Sequence, residues 1–348
     1  MKPGILLVRA DATVTSGAGH VMRCLALAQA WQDVGGRVTF AMAESTTAIE
    51  ERLRSEDVGL VRIDGVPGSQ RECEQLAALA GSHNASWVVV DGYGFGADYL
   101  RALKSARLKV VLIDDNGRPG MHAADFVLNQ NIHAHENLYK NRETCTKLIL
   151  GTKYALLRRE FASGYGPREI RSVGRRILVT MGGSDPDNVT LRAIAAVDQL
   201  AVADLEVVVL VGGSNPHVES IAESVAHARQ TCRILENVTN MQELISWADL
   251  AISAAGTVCW EYCALGLPAV LVAVAENQIP ASDALHAAGA ARRVAGGRRF
   301  EIGEMAQLVT HLVNSVSERQ ALSRTARSFV DGRGAGRVVS ILLDGGAS

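Results

Sequence analysis

One stretch reads Arg9-Ala-Asp-Ala-Thr-Val-Thr-Ser-Gly-Ala-Gly-His-Val-Met-Arg23, and it joins the apolar run Ile5–Val8 to the helix-like segment Cys24–Trp31. A strand, a turn of small residues and a helix in this order leave unpaired backbone N–H groups and the positive end of the helix dipole at the turn. Gly17 and Gly19 have no side chain that would keep a ligand away from the backbone. The stretch therefore predicts an α/β unit with a site for an anion such as phosphate.

His20 is the titratable group of this turn. Together with Arg23 it occupies positions where the Gly-x-Gly-x-x-Gly fingerprint of dinucleotide-binding folds requires glycine or small residues, so that fingerprint is not present. The amino end of a helix disfavours an imidazolium, which keeps a histidine neutral and able to act as a base at pH 7. A local structural role explains His20 equally well from the residues alone, and both interpretations stay open.

Length and composition describe a globular protein of two domains. The chain has 348 residues, of which 48% are hydrophobic and 21% charged, and its formal net charge of −2 gives no support for nucleic-acid binding. The cysteines form no Cys-x-x-Cys pair, so neither a zinc site nor a disulfide framework is indicated, and reduced thiols suit the cytoplasm. The amino-terminal apolar run is too short for a signal peptide or a spanning helix. We therefore expect a cytoplasmic monomer without stable membrane insertion.

Apolar runs and helical patterns alternate along both halves of the chain. The strand candidates are residues 5–8, 37–41, 58–63, 87–90, 108–113 and 126–128, then 177–180, 205–211, 233–235, 250–253 and 269–274. The helical patterns are at about 46–55, 69–80, 96–106, 188–199, 217–228, 240–247, 257–265, 278–288, 302–314, 317–328 and 335–343. This alternation is typical of parallel sheets covered by helices. We predict an amino-terminal domain at 1–160, a linker of turn formers at 161–174 and a carboxyl-terminal domain at 175–348.

Two turns of the second half carry polar groups after a strand. Gly256 and Thr257 open a helix and put Glu261 about one and a half turns into it, where the two carboxylate oxygens match the vicinal hydroxyls of a ribose. Asn277 and Gln278 follow the next strand, where their amides can donate to phosphate or sugar oxygens. The structural alternatives are a solvated helix residue for Glu261 and an N-cap for Asn277.

A third turn, Met181–Asn188, contains the pair Asp185-Pro-Asp187, which resembles a metal-binding Asp-x-Asp. The two aspartates lie between a Gly-Gly turn and a predicted helix, where Asp is a preferred capping and first-turn residue. We therefore predict capping and expect no metal.

The order and spacing of these motifs resemble the PseG family, the UDP-2,4-diacetamido-2,4,6-trideoxy-β-L-altropyranose hydrolases of pseudaminic acid biosynthesis, which are related to MurG-type glycosyltransferases. The resemblance runs from Arg9 to about Leu285. It is carried by Arg9-x-Asp11, Gly17-x-Gly19-His20-x-x-Arg23, Asp91-x-Tyr93, Ile113-Asp114-Asp115, Leu128-Asn129-Gln130-Asn131, Leu150-Gly151-x-x-Tyr154-x-Leu156-Leu157-Arg158-x-Glu160-Phe161, Gly182-Gly183-Ser184-Asp185-Pro186, Ala255-Gly256-Thr257-x-x-x-Glu261 and Asn277-Gln278.

The resemblance implies a GT-B fold, with two Rossmann-like domains facing across a cleft, and a hydrolase in which His20 activates the attacking water. It implies that Glu261 holds the uridine ribose of a UDP-sugar. The other implied substrate-binding residues are Gly183, Ser184, Gly256 and Thr257 at the diphosphate, Asn277, Gln278 and Tyr93 at the sugar, and Asp11, Gly17, Gly19 and Arg23 at the first turn. UDP is a good leaving group, so neither a metal nor a cofactor is expected.

Two questions stay open at this point. The segment Asp91–Gly96 is more glycine-rich than the family pattern, so a more open sugar pocket and a different sugar are expected alternatives. A glycosyltransferase on the same fold would use His20 to deprotonate an acceptor hydroxyl, since a fold does not fix a function. The balance of basic and acidic side chains in residues 1–157 argues mildly against a lipid-linked acceptor. A non-catalytic nucleotide-sugar binder would leave His20 without a role.

Overall fold

The computed structural model describes residues 3–13, 17–117, 120–162, 166–236 and 238–345. By its internal contacts the chain forms two compact units. The first contains residues 1–13, 20–162 and 332–348, and the second contains residues 14–19 and 163–331. Each unit has its own parallel sheet with helices packed on it.

The sheet of the first unit has the strand order β3-β2-β1-β4-β5-β6-β7, and each recorded strand pair is parallel. The strands are β1 (Ile5–Ala10), β2 (Arg37–Met42), β3 (Gly59–Arg62), β4 (Ala85–Asp91), β5 (Val110–Ile113), β6 (Phe126–Asn129) and β7 (Lys147–Leu150). The central strands β1, β5 and β6 are buried along their whole length, because helices cover both faces of such a sheet. The edge strands β3 and β7 are half-exposed.

The helices of the first unit begin after the carboxyl ends of the strands. They are α1 (Gly19–Asp33), α2 (Thr47–Ser55), α3 (Gln70–Ser82) and α4 (Ala97–Ser105). Two have side-chain caps, because Thr46 accepts from the amide of Ile49 and Ser69 accepts from the amide of Glu72. Polar residues just beyond each strand therefore gather at one edge of the sheet.

The second unit repeats this architecture with the strand order β10-β9-β8-β11-β12-β13. Its strands are β8 (Arg176–Thr180), β9 (Glu206–Val211), β10 (Thr231–Glu236), β11 (Leu250–Ala254), β12 (Ala269–Val272) and β13 (Arg292–Arg293). Its helices are α5 (Val189–Asp198), α6 (Val218–Ala226), α7 (Met241–Trp247), α8 (Val258–Leu265), α9 (Ile279–Ala287), α10 (Ile302–Asn314) and α11 (Val316–Phe329). A last helix, α12 (Gly334–Asp344), follows in the chain.

The strands and helices predicted from apolar runs and helical periodicity are confirmed to within a few residues. The sequence analysis missed two strands. The apolar run of β7, residues 148–150, is only three residues long and has only Ile149 fully buried, and β13 consists of two arginines. Each of these short strands pairs in parallel with a neighbouring strand, β7 with β6 and β13 with β12.

The predicted extent of the second domain to residue 348 is wrong, because α12 belongs to the first unit. Val338, Val339 and Leu342 pack into the core built on β1, β4 and β6. The indole of Trp87 on β4 donates a hydrogen bond to the carbonyl of Leu342 over 3.1 Å. The amphipathic pattern of α12 predicts a helix with one buried face, but it does not say which sheet that face covers.

Replacing Leu342 with Ala should destabilise the first unit selectively. Leu342 has no exposed surface, and a buried Leu→Ala change costs about 2–5 kcal/mol. Hydrogen exchange followed by mass spectrometry should show faster exchange in peptides of β1, β4 and β6 and unchanged exchange in β8 and β11. Ser340→Ala, on the exposed face of the same helix, is the matched control. Equal loss of protection in both units would contradict the assignment of α12.

Candidate active site

Polar residues follow four neighbouring strands of the first unit. They are Asp11 after β1, Asp91 and Tyr93 at the end of β4, Asp114 and Asp115 after β5, and Asn129 and Asn131 at the end of β6. Asp91 is paired in register with Ile113, so Asp115 lies two residues beyond it on the adjacent strand. The carboxyl edge of a parallel sheet is where open α/β folds bind ligands.

Arg23 holds this edge together. Its Nε and Nη2 donate to the two carboxylate oxygens of Asp91 over 2.6 and 2.7 Å, and its Nη1 donates to Asp115 over 2.7 Å. Arg23 is 3% exposed and Asp91 is 1% exposed. Burial by itself would lower the pKa of Arg23, but the charges of Asp115 and Asp91 raise it well above its usual value. The planar guanidinium matches two carboxylates better than a lysine ammonium would.

Asp115 stays ionised in this setting. Burial would raise the pKa of its carboxyl group, but Arg23, the amide of Asn131 and the charge of His20 together hold that pKa well below its usual range. Asn131 donates to Asp115 over 2.9 Å, and Asn129 donates to the Asp115 carbonyl over 2.8 Å. The loop after β6 therefore fixes both the backbone and the side chain of Asp115.

His20 is the second residue of α1 and lies one turn before Arg23. Its ring lies edge-on to the ring of Tyr93, with centroids 5.1 Å apart and planes at 70°. The Tyr93 hydroxyl is 3.5 Å from Asp115, at the outer limit of a hydrogen bond. His20 is half-buried, whereas Tyr93 is 58% exposed. We call His20, Arg23, Asp91, Tyr93 and Asp115 the His20 group.

Arg23 and Asp11, two of the substrate-binding residues implied by the resemblance, both have protein partners. Three nitrogens of Arg23 donate to carboxylates, and its contact with substrate stays a prediction. One oxygen of Asp11 accepts from the amides of Ala43 and Glu44 over 2.8 and 3.1 Å and pairs with Arg9 over 2.7 Å. Asp11 thus ties the end of β1 to the end of β2, and its contact with substrate stays a prediction.

The glycines of the predicted phosphate turns pack closely in the second unit. A Cβ on Gly212 would lie 2.4 Å from both Cα and O of Gly183, so this approach requires glycine. The preceding Gly182 has a φ of +90°. Gly17, grouped with this unit by its contacts, has its Cβ position 3.8 Å from Gly183 and 3.9 Å from Ser184 Oγ. Gly17 therefore lies close to Gly183 and Ser184.

The second predicted turn lies at the start of α8. The Cβ position of Gly19 is 3.6 Å from Thr257 Oγ1, and that of Gly256 is 4.0 Å from the amide nitrogen of Gln278. The amide oxygen of Gln278 accepts from the backbone of Val274 over 3.0 Å, which fixes the side chain at the end of β12. These residues surround the amino end of an eight-residue helix, where backbone N–H groups favour an anion.

Glu261 and Asn277 complete the predicted set in the second unit. Glu261 is half-buried in the first turn of α8, and Asn277 is exposed in the short 3₁₀ segment Glu276–Gln278. Both follow strands that are neighbours in the sheet, β11 and β12. Their positions agree with a nucleotide-binding edge, and their ligand contacts stay predictions.

The capping role predicted for Asp185 is confirmed. Its carboxylate accepts from the amides of Val189 and Thr190 over 2.8 and 2.9 Å and from the Thr190 hydroxyl over 2.6 Å. Asp187 pairs instead with Arg298 over 2.8 Å. Within the described ranges there is no cluster of three His, Cys, Asp or Glu residues arranged to hold a metal ion.

The sequence analysis did not identify the role of Asp115 and Asn131. Both residues belong to motifs that carry the family resemblance. The position of Asp114-Asp115 directly after a strand was the one sequence signal for a functional role. Their link to His20 depends on how β4, β5 and β6 are ordered in the sheet. That order is a property of the fold and not of any local pattern.

Comparisons with known proteins find relatives of this chain. Residues 176–331 match the glycosyltransferase family 28 C-terminal domain. Spore coat polysaccharide biosynthesis protein SpsG of Bacillus subtilis is 25% identical over 337 residues, 96% of each chain. The UDP-2,4-diacetamido-2,4,6-trideoxy-beta-L-altropyranose hydrolase of Campylobacter jejuni is 24% identical over 256 residues, 73% of this chain and 86% of its own.

A crystal structure of MurG from Acinetobacter baumannii superposes with a TM-score of 0.66 at 20% identity, covering 98% of this chain and 99% of that one. At this identity the likeness concerns the fold. The predicted α/β fold of the GT-B class, with two Rossmann-like parallel sheets, is confirmed. Among the residues described, no helix is both long and apolar enough to span a bilayer.

Gly212→Ala should displace the Gly182-Gly183 turn. The new methyl group would meet backbone atoms at 2.4 Å, and forcing atoms into a packed region costs about 1–3 kcal/mol. Denaturant unfolding should show that loss, and the amide of Ser214, which donates to the Gly183 carbonyl over 3.2 Å, should exchange faster. Gly303→Ala, in α10 with nothing within 4 Å of its Cβ position, is the control and should be neutral or stabilising. A wild-type exchange rate at Ser214 in Gly212→Ala would refute the close packing.

Proposed function

We propose that this protein hydrolyses a UDP-sugar at the bond between the anomeric carbon and the leaving oxygen. The observation that carries the proposal is the His20 group, in which a half-buried histidine at a helix start lies beside an exposed tyrosine and one helical turn before a buried ion-paired arginine. The likeness to the Campylobacter hydrolase supports hydrolysis, and the family 28 match of residues 176–331 supports a nucleotide-sugar substrate.

In the proposed reaction the neutral imidazole of His20 takes a proton from water. The water oxygen bonds to the anomeric carbon, the carbon–oxygen bond to the diphosphate breaks, and its electron pair leaves with UDP. A positioned general base contributes about 10²–10⁴-fold to such a rate. Backbone N–H groups at the Gly182-Gly183 turn and at the start of α8 stabilise the departing diphosphate. UDP leaves readily, so the proposal needs no metal and no general acid.

The remaining residues bind and orient the substrate in this proposal. Glu261 accepts from the ribose hydroxyls, Asn277 and Gln278 bind the sugar, and Tyr93 forms one wall of the sugar site. We propose UDP-2,4-diacetamido-2,4,6-trideoxy-β-L-altropyranose as the substrate, so that the free sugar feeds pseudaminic acid synthesis. The likeness to SpsG extends over more of the chain and is consistent with a sugar destined for a surface polysaccharide.

The alternative is a glycosyltransferase, which the family 28 match and the MurG-like fold favour. His20 would then take the proton of an acceptor hydroxyl. One simple assay distinguishes the two reactions: it measures whether UDP is released from the nucleotide sugar in water without an acceptor. Release of UDP at a catalytic rate supports the hydrolase, and release only with an added acceptor supports the transferase.

Heavy-oxygen water should label the sugar and not UDP. If water adds to the anomeric carbon, mass spectrometry finds the label in the free sugar, with the reaction run in excess EDTA to exclude a bound metal. His20→Ala should lower kcat by about 10²–10⁴-fold with little change in UDP affinity. His227→Ala, an exposed histidine at the end of α6, is the control. Label in UDP, loss of activity in EDTA or a fully active His20→Ala enzyme would refute the mechanism.

Replacing Glu261 with Ala should weaken UDP binding by about 10- to 150-fold, because hydrogen bonds to a charged group are worth about 1.5–3 kcal/mol. Titration calorimetry with UDP measures the loss, and circular dichroism checks the fold. Glu223→Ala, an exposed glutamate on α6, is the matched control and should bind UDP normally. An unchanged affinity in a folded Glu261→Ala protein would remove Glu261 from the nucleotide site.

A further inference from the structure

The ion-paired side chains of the His20 group carry an excess negative charge next to the proposed base. Arg23 contributes one positive charge, and Asp91 and Asp115 contribute two negative ones, so the ion-paired cluster carries a net charge of −1. Arg23 and Asp91 are buried and the Asp115 side chain is 15% exposed, so water screens this charge only in part. A proton acquired by His20 would therefore meet an opposite charge that is already in place.

Asp115 is the carboxylate of this cluster that reaches Tyr93, the aromatic neighbour of His20. Its second oxygen is 3.5 Å from the hydroxyl of Tyr93, whose ring lies against the imidazole of His20. Asp91, in contrast, gives both oxygens to Arg23 and also accepts from the thiol of Cys24 over 3.4 Å. The two aspartates share one arginine but differ in what they face.

We propose that Asp115 is a positioning residue for the proposed reaction, a fixed counter-charge that stabilises the imidazolium formed when His20 takes a proton from water. The inference rests on the proposed role of His20. Arg23 keeps Asp115 ionised and immobile, and Asn131 holds the oxygen that Arg23 contacts. Because the charge is pre-organised, no group has to reorient when the proton moves.

Other charged and titratable groups lie on the elements beside this pair. The buried Asp114, next to Asp115 in the chain, lies 3.6 Å from the Nε2 of the buried His122. On its own helix His20 has Arg23, which the two aspartates neutralise. The loop after β6 contributes Asn131 and His133, and the Nε2 of His133 lies 3.0 Å from the Asp115 carbonyl oxygen. Burial lowers the pKa of His133, so it adds no charge at neutral pH. The charge of His20 is among the influences that lower the pKa of Asp115, and linkage makes such an interaction reciprocal.

The test is a nuclear magnetic resonance titration of the His20 ring in the full chain without substrate, assigned with a His20→Gln variant. Asp115→Asn keeps the shape of the side chain and removes the charge. Loss of this negative charge should lower the pKa of His20. The expected shift is about one unit, at the low end for a nearby opposite charge, because solvent screens the half-exposed His20. Asp91→Asn makes the same chemical change at the same arginine and should shift the His20 pKa by less than half as much. An unchanged His20 titration in Asp115→Asn, or an equal shift in Asp91→Asn, overturns the proposal.

Tyr93→Phe covers the case in which Asp115→Asn does not fold. Tyr93 is exposed, so the variant should fold, and it keeps both the aromatic ring and the Asp115 charge. Its His20 should titrate within about 0.3 units of wild type, whereas a fall of a full unit would assign the effect to the hydroxyl and overturn the charge argument.

Kinetics separate this inference from the proposed function. The acidic limb of kcat/KM against pH should move in Asp115→Asn by the same amount as the His20 titration, with UDP affinity unchanged. A merely structural role would lower kcat/KM at every pH without moving the limb. Absence of UDP-sugar hydrolysis in the wild type would refute the proposed function, while the titration in the substrate-free protein still decides the role of Asp115.

Discussion

The ion pairs of Arg23 are the interaction on which the first unit's polar edge depends. One guanidinium joins the first helix to the ends of β4 and β5 through Asp91 and Asp115. Removing one partner of a buried pair costs about 3–5 kcal/mol, because the other charge is left without compensation. The cluster is therefore an all-or-none arrangement, and it fixes the helix turn that carries His20 relative to the strands beside it.

Much of this architecture could be predicted from the sequence. Buried parallel strands such as β5 and β12 are continuous apolar runs, and the caps of α2 and α3 are serine or threonine. Glycine-rich turns after strands are also visible in the sequence, and at Gly183 a Cβ would lie only 3.2 Å from the amide nitrogen of Ala18. These features are local, so a window of a few residues contains the information.

What escaped prediction depends on distant residues. The helix α12 has an amphipathic pattern like that of α10 and α11, yet its apolar face covers β1 and β4, more than 200 residues earlier in the chain. The hydrogen bond from Trp87 to Leu342 joins residues that are 255 positions apart. Arg23 and Asp115 are 92 positions apart, and only the strand order brings them within 2.7 Å. An arginine that pairs with buried carboxylates looks, in the sequence, like one that binds a phosphate.

The discontinuity of the first unit has a consequence for biosynthesis. Its sheet is encoded by residues 3–150, but α12, which seals one face of that sheet, is translated only after the whole second unit. Domains generally fold in the order in which they leave the ribosome. Here the second unit, which apart from residues 14–19 lies within residues 163–331, is translated in full before α12, so α12 can cover the apolar surface around Trp87 and Phe126 only afterwards.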